Sequence, residues 1–434
     1  MTDETVSFHP AYLRGEAALA QPAPITTSGP VAWVRTRLRS GWLSGILSLL
    51  FILLLVWVIP DLFRFFFLDA VWSAPDGSAC RAPGTGACWA FIERKIDFFR
   101  YGSYPSEAHW RVDLVLIIGA VLAARLLWPA GRKGMAGLLA FLLGVPLLMF
   151  LLIPGPAAVM REPATELTIF AIGVGLAALL EATALSTGLV SLLFFAVYPI
   201  FVVTLLHGSV TLGLSIIDTN LWGGIFVSLL VATIGIVVSL PAGVLLALGR
   251  RSRLPFVRLF SVVFIEFVRG VPLITVLFMA NTMLPLFVPE QLTPDRLLRP
   301  LIGVAVFASA YMAEEIRGGL QAISKGQYEG AMALGLGYGK MMRLVVLPQA
   351  LTLVIPGIVN IFIGLFKDTT LVAIVGVFDF LRTVDTARVD PAWSGPTISA
   401  TGYAFAALFY FVFCFGMSRY SLMMERRLSA GRRH

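Results

Sequence analysis

Apolar residues occur along this chain in long runs, and short polar stretches separate the runs. Runs long enough to cross a bilayer cover residues 42–59, 113–128, 135–153, 167–206, 225–248, 256–287, 301–323, 350–377 and 402–424. About 20 consecutive apolar residues in a helix span the hydrocarbon core. The pattern predicts an all-α, polytopic membrane protein with about ten transmembrane helices, five of which form a C-terminal core.

The run at residues 167–206 fits this pattern in two ways. It is long enough for two spans that turn at Ser186-Thr187-Gly188, although no Lys or Arg marks that turn. Glu181 interrupts the same run and suits either a residue at the membrane surface or a proton carrier. The region 256–287 is also long, and it leaves room for a short surface helix before the crossing.

The distribution of charged residues predicts how the chain is oriented in the membrane. Charged residues make up 13% of the chain, against about 25% in soluble domains, and the net charge is +8. The arginines stand at the ends of apolar runs instead of forming a nucleic-acid surface, and this placement favours cytoplasmic ends for those runs. Both termini are therefore predicted to be cytoplasmic, as marked by Arg35, Arg37, Arg39, Arg426, Arg427, Arg432 and Arg433.

Four segments follow from these runs. Residues 1–41 are predicted to form a cytoplasmic tail. This polar stretch before the first apolar run is too long for a cleaved secretory signal. Residues 42–210 form a transmembrane extension with a periplasmic segment at 60–111. Residues 211–426 form the transmembrane core, with a cytoplasmic loop at 324–346, and residues 427–434 form a second tail.

Cysteine and histidine suggest little chemistry. Three cysteines and four histidines have no metal-ligand spacing, so no metal site is expected. Cys80 and Cys88 both lie in the predicted periplasmic segment, where the compartment is oxidising. A disulfide and two free thiols are equally compatible with the sequence.

The most informative stretch is the polar, glycine-rich loop at 324–346. It predicts two short helices, at 327–334 and 340–347, with Gly335, Gly337 and Gly339 as the turn between them. Pro348 then starts the next span, since proline is tolerated in the first turn of a helix.

The spacing in this loop is specific. Glu329-Gly330-Ala331 is followed after three residues by Gly335, and nine residues later by Val345 and Leu347-Pro348. This resembles the cytoplasmic "EAA" loop of ABC-importer permeases, with glycine in place of one alanine and valine in place of an isoleucine. The resemblance implies that a separate ATPase contacts the loop, through Glu329, Gly330, Ala331, Gly335, Leu347 and Pro348.

The flanking residues narrow the resemblance. Arg317-Gly318-Gly319 and Lys367-Asp368-Thr369-Thr370 resemble the polar amino-acid permeases. Gly86-Ala87-Cys88-Trp89 and residues 414–421 resemble the general L-amino-acid (glutamate/glutamine/aspartate/asparagine-type) permeases of Gram-negative bacteria. This implies an inner-membrane permease subunit of an ATP-binding-cassette importer for L-amino acids. Its implied partners are an ATPase subunit, a periplasmic amino-acid-binding protein and a second, similar permease in a heterodimer.

This chain is not expected to be an enzyme or to hold a cofactor. A phosphate loop around Lys340 would need glycine at position 334 and Ser or Thr at 341, where Leu334 and Met341 stand. The alternative function is an ion-coupled secondary amino-acid transporter. That class predicts broken helices in two corresponding halves, and the sequence shows no such pairing.

Ionisable and polar residues within apolar runs are candidates for the substrate path, because charge at membrane depth is costly. An amino acid needs a cation for its carboxylate and an anion or carbonyl oxygens for its ammonium group. Arg269 with Glu314 or Asp368 would provide these charges. The alternative for the same residues is ion pairing between helices or snorkelling at the membrane interface. The full set of candidates is Arg269, Glu314, Asp368, Thr369 and Asn281.

Overall fold

The structure is a computed structural model that describes residues 42–127, 190, 193–209, 211, 213–289 and 293–430. Outside these residues lie the predicted tail 1–41, the end of the second predicted tail (431–434), the predicted span at 135–153, Glu181 and the predicted turn at 186–188. Residues 427–430 of the second tail belong to the last helix, Ile398–Ala430. The chain divides into two compact units, residues 1–68 and 69–434. The first unit contains α1 (Trp42–Phe63), which continues as a π turn at Arg64–Leu68. It agrees with the first predicted span.

The second unit begins with a disulfide-bonded loop and three helices. These are α2 (Trp89–Tyr101), α3 (His109–Leu127) and α4 (Tyr198–His207), the last preceded by a π turn at Leu193–Val197. α3 matches the span predicted at 113–128. We call residues 69–101, which comprise the loop and α2, the cap.

The remainder of the second unit is the core. Its helices are α5 (Gly224–Arg250), α6 (Pro255–Gly270), α7 (Leu273–Phe278), α8 (Leu284–Phe287), α9 (Leu298–Ala322), α10 (Lys325–Ala333), α11 (Tyr338–Met341), α12 (Leu347–Asp368), α13 (Phe380–Ala387) and α14 (Ile398–Ala430). A π turn, Met279–Met283, joins α7 to α8, and a 3-10 segment, Thr369–Val375, extends α12. Among the described residues the only strand is Phe378–Asp379. The all-α prediction is confirmed.

Four helices in the described ranges are long and apolar enough to cross a membrane. They cover Leu43–Leu68, Gly224–Arg250, Tyr338–Val375 and Ile398–Arg426, and a bent pair of helices makes a fifth candidate. α9 has the length of a span but carries Glu314, Glu315 and Arg317, so its composition alone does not qualify it. The count of about ten spans stays a prediction.

The region predicted as one long apolar run, 256–287, is broken. Pro255–Gly270 and Leu273–Phe287 meet at an angle of 108°. The break falls at Val271-Pro272, where both residues are extended and Pro272 precedes the first turn of α7. Proline is favoured at such a start and disfavours helix in the residue before it. The structure thus has a separate helix before the crossing segment.

The core is held together by close packing between α5, α9 and α12. A Cβ atom on Gly243 of α5 would lie 2.5 Å from Met312 of α9, and one on Gly319 of α9 would lie 2.7 Å from the carbonyl oxygen of Ala350. Small residues at these points let helix backbones approach, as is common in membrane helix pairs. We call the end of this bundle that carries residues 323–337 the motif end. The opposite end, at which the cap lies, is the cap end.

Candidate coupling surface and substrate path

Gly335 ends helix α10 in a specific turn. Its φ is +73°, its N–H donates to the Met332 carbonyl at 2.9 Å, and the Leu336 N–H donates to the Ala331 carbonyl at 3.2 Å. These two hydrogen bonds form a Schellman motif, which needs a left-handed residue after the helix and therefore favours glycine. The turn predicted at Gly335 is present, and its cause is the conformation of the backbone, because a Cβ atom there would meet open space.

The residues of the EAA-like motif divide between two faces. Glu329 and Gly330 are exposed, whereas Ala331 is only 3% exposed and packs with Met341 and Val346. Ala331 therefore holds α10 against the permease, and Glu329 and Gly330 remain available to another protein. Leu347 is partly buried and Pro348 is exposed at the start of α12.

An apolar patch surrounds Gly335 and was not among the predicted site residues. Met332, Leu334 and Tyr338 are 57%, 80% and 60% exposed. Exposed apolar side chains of this size, close together and flanked by the charges of Glu329 and Lys340, are typical of a protein contact. We call Glu329, Gly330, Met332, Leu334 and Tyr338 the coupling surface. A helical wheel of the predicted helix would have shown Met332 and Glu329 on one side.

The second predicted helix of the loop differs from the structure. Residues 340–347 do not form a short helix of their own, because α11 passes through a π turn at Met342–Val346 directly into α12. The helical segment therefore runs from Tyr338 to Val375. Pro348 stands in the first turn of α12, and its missing N–H is accommodated by the preceding π turn.

Two contacts tie α10 to the rest of the motif end. Arg251 donates to the Tyr328 hydroxyl at 3.0 Å, and its guanidinium lies 5.6 Å from the centre of the Tyr328 ring. Gln349 donates to the Gln327 side chain at 2.9 Å. A displacement of α10 would therefore act on both the end of α5 and the start of α12.

Glu314 lies at the centre of an ion cluster near the motif end. Its carboxylate binds Arg317 within α9, and lies 3.5 Å from Arg250 of α5 and 3.7 Å from Arg269 of α6. Arg250 also donates to Glu266 of α6 at 2.8 Å. The Arg269 guanidinium is 5.6 Å from the centre of the Tyr311 ring. Three helices are thus linked through one carboxylate.

The predicted substrate-path residues do not form one group. Arg269 and Glu314 meet in the ion cluster, whereas Asp368 and Thr369 lie at the far end of α12, whose 22 residues cover about 33 Å. Asn281 is in the π turn Met279–Met283, and its Oδ1 atom is buried with no hydrogen-bond partner among the described residues. The Thr369 hydroxyl donates to the Phe366 carbonyl at 2.8 Å.

The cap end is built from residues far apart in sequence. Cys80 and Cys88 are joined by a disulfide with Cα atoms 5.7 Å apart. Arg81 donates to the carbonyls of Pro391, Ala392 and Ser394, and the Cys88 N–H donates to the Thr401 hydroxyl at 2.9 Å. Because these groups lie more than 300 residues apart, no local pattern in the sequence indicates the contact.

Comparison with known proteins identifies the family. Residues 239–430 match the family described as "Binding-protein-dependent transport system inner membrane component". The inner membrane amino-acid ABC transporter permease protein YhdY of Escherichia coli is 42% identical over 412 residues, which are 95% of this chain and 96% of YhdY. This chain belongs to the amino-acid ABC transporter permeases. The glutamate/glutamine/aspartate/asparagine transport system permease protein BztC of Rhodobacter capsulatus is also similar, with 41% identity over 98% of this chain and 99% of BztC.

A solved structure also matches part of this chain. It is a crystal structure of an amino acid ABC transporter with histidines, 29% identical, which covers 47% of this chain and 92% of that chain with a TM-score of 0.41.

Membership of the amino-acid ABC transporter permeases establishes the class of activity. The chain is a multi-pass inner-membrane permease subunit of an ABC importer for amino acids, and a separate subunit hydrolyses ATP. Its partners include that ATPase and a substrate-binding protein. Neither the relatives nor the fold support the ion-coupled secondary transporter considered from the sequence.

Proposed function

We propose that this permease receives the force of ATP hydrolysis at the coupling surface and delivers it to the ion cluster. The observation that carries the proposal is the exposure of Glu329 together with Met332, Leu334 and Tyr338 around the Schellman turn at Gly335. A rigid helix that another protein can grip transmits displacement to the elements packed beneath it. Ala331, Leu347 and Pro348 would support that helix from below.

The route of this displacement is supported by contacts at the motif end. α10 is joined to the end of α5 through Arg251 and Tyr328, and the residue before Arg251, Arg250, belongs to the ion cluster with Glu314 and Arg269. α10 also joins α12 through Gln327 and Gln349. Movement of α10 would therefore reach α5 through Arg251, α12 through Gln349 and α9 through the ion cluster.

The assembly and substrate class are proposed from the relatives. BztC is named for transport of glutamate, glutamine, aspartate and asparagine, and we propose polar L-amino acids of this kind as substrates. We propose a second, similar permease as the partner that completes the path in a heterodimer; in a single bundle α14 leaves Leu408, Phe411 and Phe415 exposed. No cofactor is proposed for this chain. The motif end faces the cytoplasm and the cap end faces the periplasm.

The test is substrate-stimulated ATPase activity and uptake in reconstituted complexes. Gly335→Val should strain the turn, because a β-branched residue resists positive φ, and Glu329→Lys should reverse a charge on the coupling surface. Both variants should insert normally, since neither residue packs in the core. We expect a loss of about tenfold or more in stimulated activity, which corresponds to roughly 1.4 kcal/mol.

Lys340→Ala is the matched control. Lys340 is exposed in the same loop but lies outside the coupling surface, so its replacement should leave both activities close to those of the wild type. Full stimulation and full uptake in Gly335→Val and Glu329→Lys together would refute the proposed coupling site.

A further inference from the structure

Helix α6 has two distinct faces. Ser261, Ile265 and Val268 are buried against the core, and Gly249 of α5 leaves room for Ser261, whose Oγ would lie 2.3 Å from a Cβ atom there. The opposite face is apolar and exposed. At 100° per residue its members lie within an arc of about 100°, with exposed fractions of 78%, 63%, 57%, 56% and 62% for Phe256, Leu259, Phe260, Val263 and Phe267. We call these five residues the α6 stripe.

The orientation of α6 suits a membrane surface. α7 and the π turn after it pack along α9, and α6 is turned 108° from that segment, so α6 lies across the bundle at its motif end. Its 16 residues measure about 24 Å, less than the roughly 30 Å hydrocarbon core. A helix of this length with one apolar and one polar flank rests in the interface of a bilayer.

Unpaired arginines accompany the stripe. Arg253 and Arg258 are exposed, and among the described residues neither has an ion-pair partner, whereas Arg250 and Arg251 are engaged within the protein. Arg258 precedes Leu259 of the stripe, and Arg253 lies two residues before Pro255, the first residue of α6. Cations beside an interfacial apolar face attract anionic phospholipid head groups.

We propose that α6 binds anionic phospholipid, with the α6 stripe in the acyl region and Arg253 and Arg258 at the head groups. The same helix carries Glu266 and Arg269, which join Arg250 and Glu314 in the ion cluster. Lipid bound on one side of α6 therefore restricts the movement of the ion cluster on the other side. The negative charge of the inner leaflet then sets the rate of transport. This inference rests on the proposed function, which places the motif end at the cytoplasmic leaflet.

The first test measures lipid dependence. The complete complex of permeases and ATPase is placed in nanodiscs of phosphatidylcholine alone or with increasing phosphatidylglycerol, and stimulated ATPase activity is recorded with the phosphatidylglycerol retained on native mass spectrometry. Phosphatidylglycerol should raise activity and remain bound. The double variant Arg253→Gln/Arg258→Gln should need more phosphatidylglycerol for half of the effect, on the order of fivefold for each arginine.

The control for charge is Arg94→Gln, which removes an exposed arginine on α2 at the cap end and should leave the lipid dependence unchanged. An equal response of the double variant and the wild type to phosphatidylglycerol would overturn the proposal. So would an equal shift in Arg94→Gln, because the effect would then come from total charge.

The second test measures depth and does not depend on transport. A spin label is placed at Phe260→Cys in a Cys414→Ser background and, for comparison, at Tyr338→Cys. The Phe260 label should be accessible to oxygen and shielded from a water-soluble nickel complex, and the Tyr338 label in the isolated permease should show the reverse. Shielding of the Phe260 label from both reagents in the assembled complex would assign the α6 stripe to a second permease and refute lipid binding.

The two proposals can fail separately. In one outcome the Phe260 label contacts lipid and phosphatidylglycerol is retained, but Gly335→Val and Glu329→Lys both keep full stimulated ATPase activity and uptake. That result would leave α6 as a lipid-binding helix and refute the coupling site. Normal coupling with a water-exposed Phe260 label would do the opposite.

Discussion

Single residues in this permease have strong effects where they set backbone conformation or hold buried charge. Gly335 is the first kind, since its positive φ completes the Schellman turn. Asp379 is the second kind. It is fully buried in the connection between α12 and α13, and its carboxylate accepts hydrogen bonds from the N–H groups of Leu381 and Arg382 at 3.0 and 3.1 Å. It thereby caps α13.

Asp379 should make stability depend on pH. Burial raises its pKa to about 7, from an ordinary 3.8, and the nearby Asp385 acts in the same direction. Between pH 3.8 and about pH 7 the Asp379 carboxyl is protonated in the folded chain and ionised in the unfolded chain. The free energy of unfolding should therefore fall as pH rises towards about 7 and level off above it. The loss is about 4 kcal/mol at most. Asp379→Asn should flatten the dependence of the melting temperature on pH.

A matched control for this prediction is Asp218→Asn. Asp218 also caps a short helix through the N–H of Asn220, but it is exposed. Its replacement should leave the pH dependence as it is in the wild type. A wild-type melting temperature that rises between about pH 5 and pH 8 would contradict the assignment for Asp379.

Arg269 tests the substrate path at the scale of one residue. Its guanidinium faces Glu314 and the Tyr311 ring, and its Nε atom is buried with no hydrogen-bond partner among the described residues. Arg269→Lys keeps the charge and loses the planar fork that binds a carboxylate through two hydrogen bonds. If Arg269 orients the substrate carboxylate, KM for uptake should rise while recovery of the ATPase subunit stays the same. Unchanged uptake would leave Arg269 to ion pairing between helices.

The cap is an element of the second unit that lies outside the core and contacts it. It contacts the connection between α13 and α14 through Arg81 and through an ion pair between Lys95 and Asp390 at 2.5 Å. It also contacts α14, where the Cys88 N–H donates to the Thr401 hydroxyl. The pKa of Asp390 is lowered, chiefly by its hydrogen bond from Lys95. The disulfide closes a short loop within this element, and such a closure stabilises by about 2–3 kcal/mol.

The disulfide prediction concerns the cap as a unit. Peptide mapping without reductant, on protein purified with its thiols blocked, should recover Cys80 and Cys88 in one linked peptide pair. The double variant Cys80→Ser/Cys88→Ser should expose the segment near Asp390 to faster hydrogen exchange, because the cap would hold it less firmly. Cys414→Ser serves as the control, since Cys414 is the free cysteine of the described chain. Recovery of Cys80 and Cys88 as two blocked thiols would refute the bond.

At the scale of the whole molecule, the helices of the core connect two chemically different ends. The motif end carries the coupling surface, the ion cluster and the arginines of α5 and α6. The cap end carries the disulfide, Asp379 and the connection to α14. α5, with 27 residues, reaches from one end to the other. The arginines that follow α5 and begin α6 at the motif end, Arg250, Arg251, Arg253 and Arg258, fit the cytoplasmic location proposed for that end.

Labelling from each side of the membrane tests this orientation. In a Cys414→Ser background, Lys325→Cys at the motif end should react with an impermeant maleimide only in inside-out vesicles. Val389→Cys at the cap end is 62% exposed and should react only in right-side-out vesicles or intact spheroplasts. Reaction of both from the same side would exclude the proposed orientation. The background without either cysteine provides the baseline.

Local signals in the sequence were sufficient for the class and for the outline of the coupling site. Apolar runs predict most of the described spans, because burial in lipid requires a continuous length of apolar helix. The spacing from Glu329 to Pro348 predicts the coupling loop, because a helix, a glycine turn and a helix start are all set by neighbouring residues. The turn at Gly335 is present for this reason.

Tertiary structure alone decided the features that join distant residues. The continuous helix from Tyr338 to Val375 depends on packing of Met341 and Val346 in the core, which outweighed the local polarity of the loop. The meeting of Arg269 with Glu314 and its separation from Asp368 follow from how helices cross. The docking of the cap across more than 300 residues has the same origin. Composition and spacing describe neighbours along the chain, whereas these contacts are made between elements that only packing brings together.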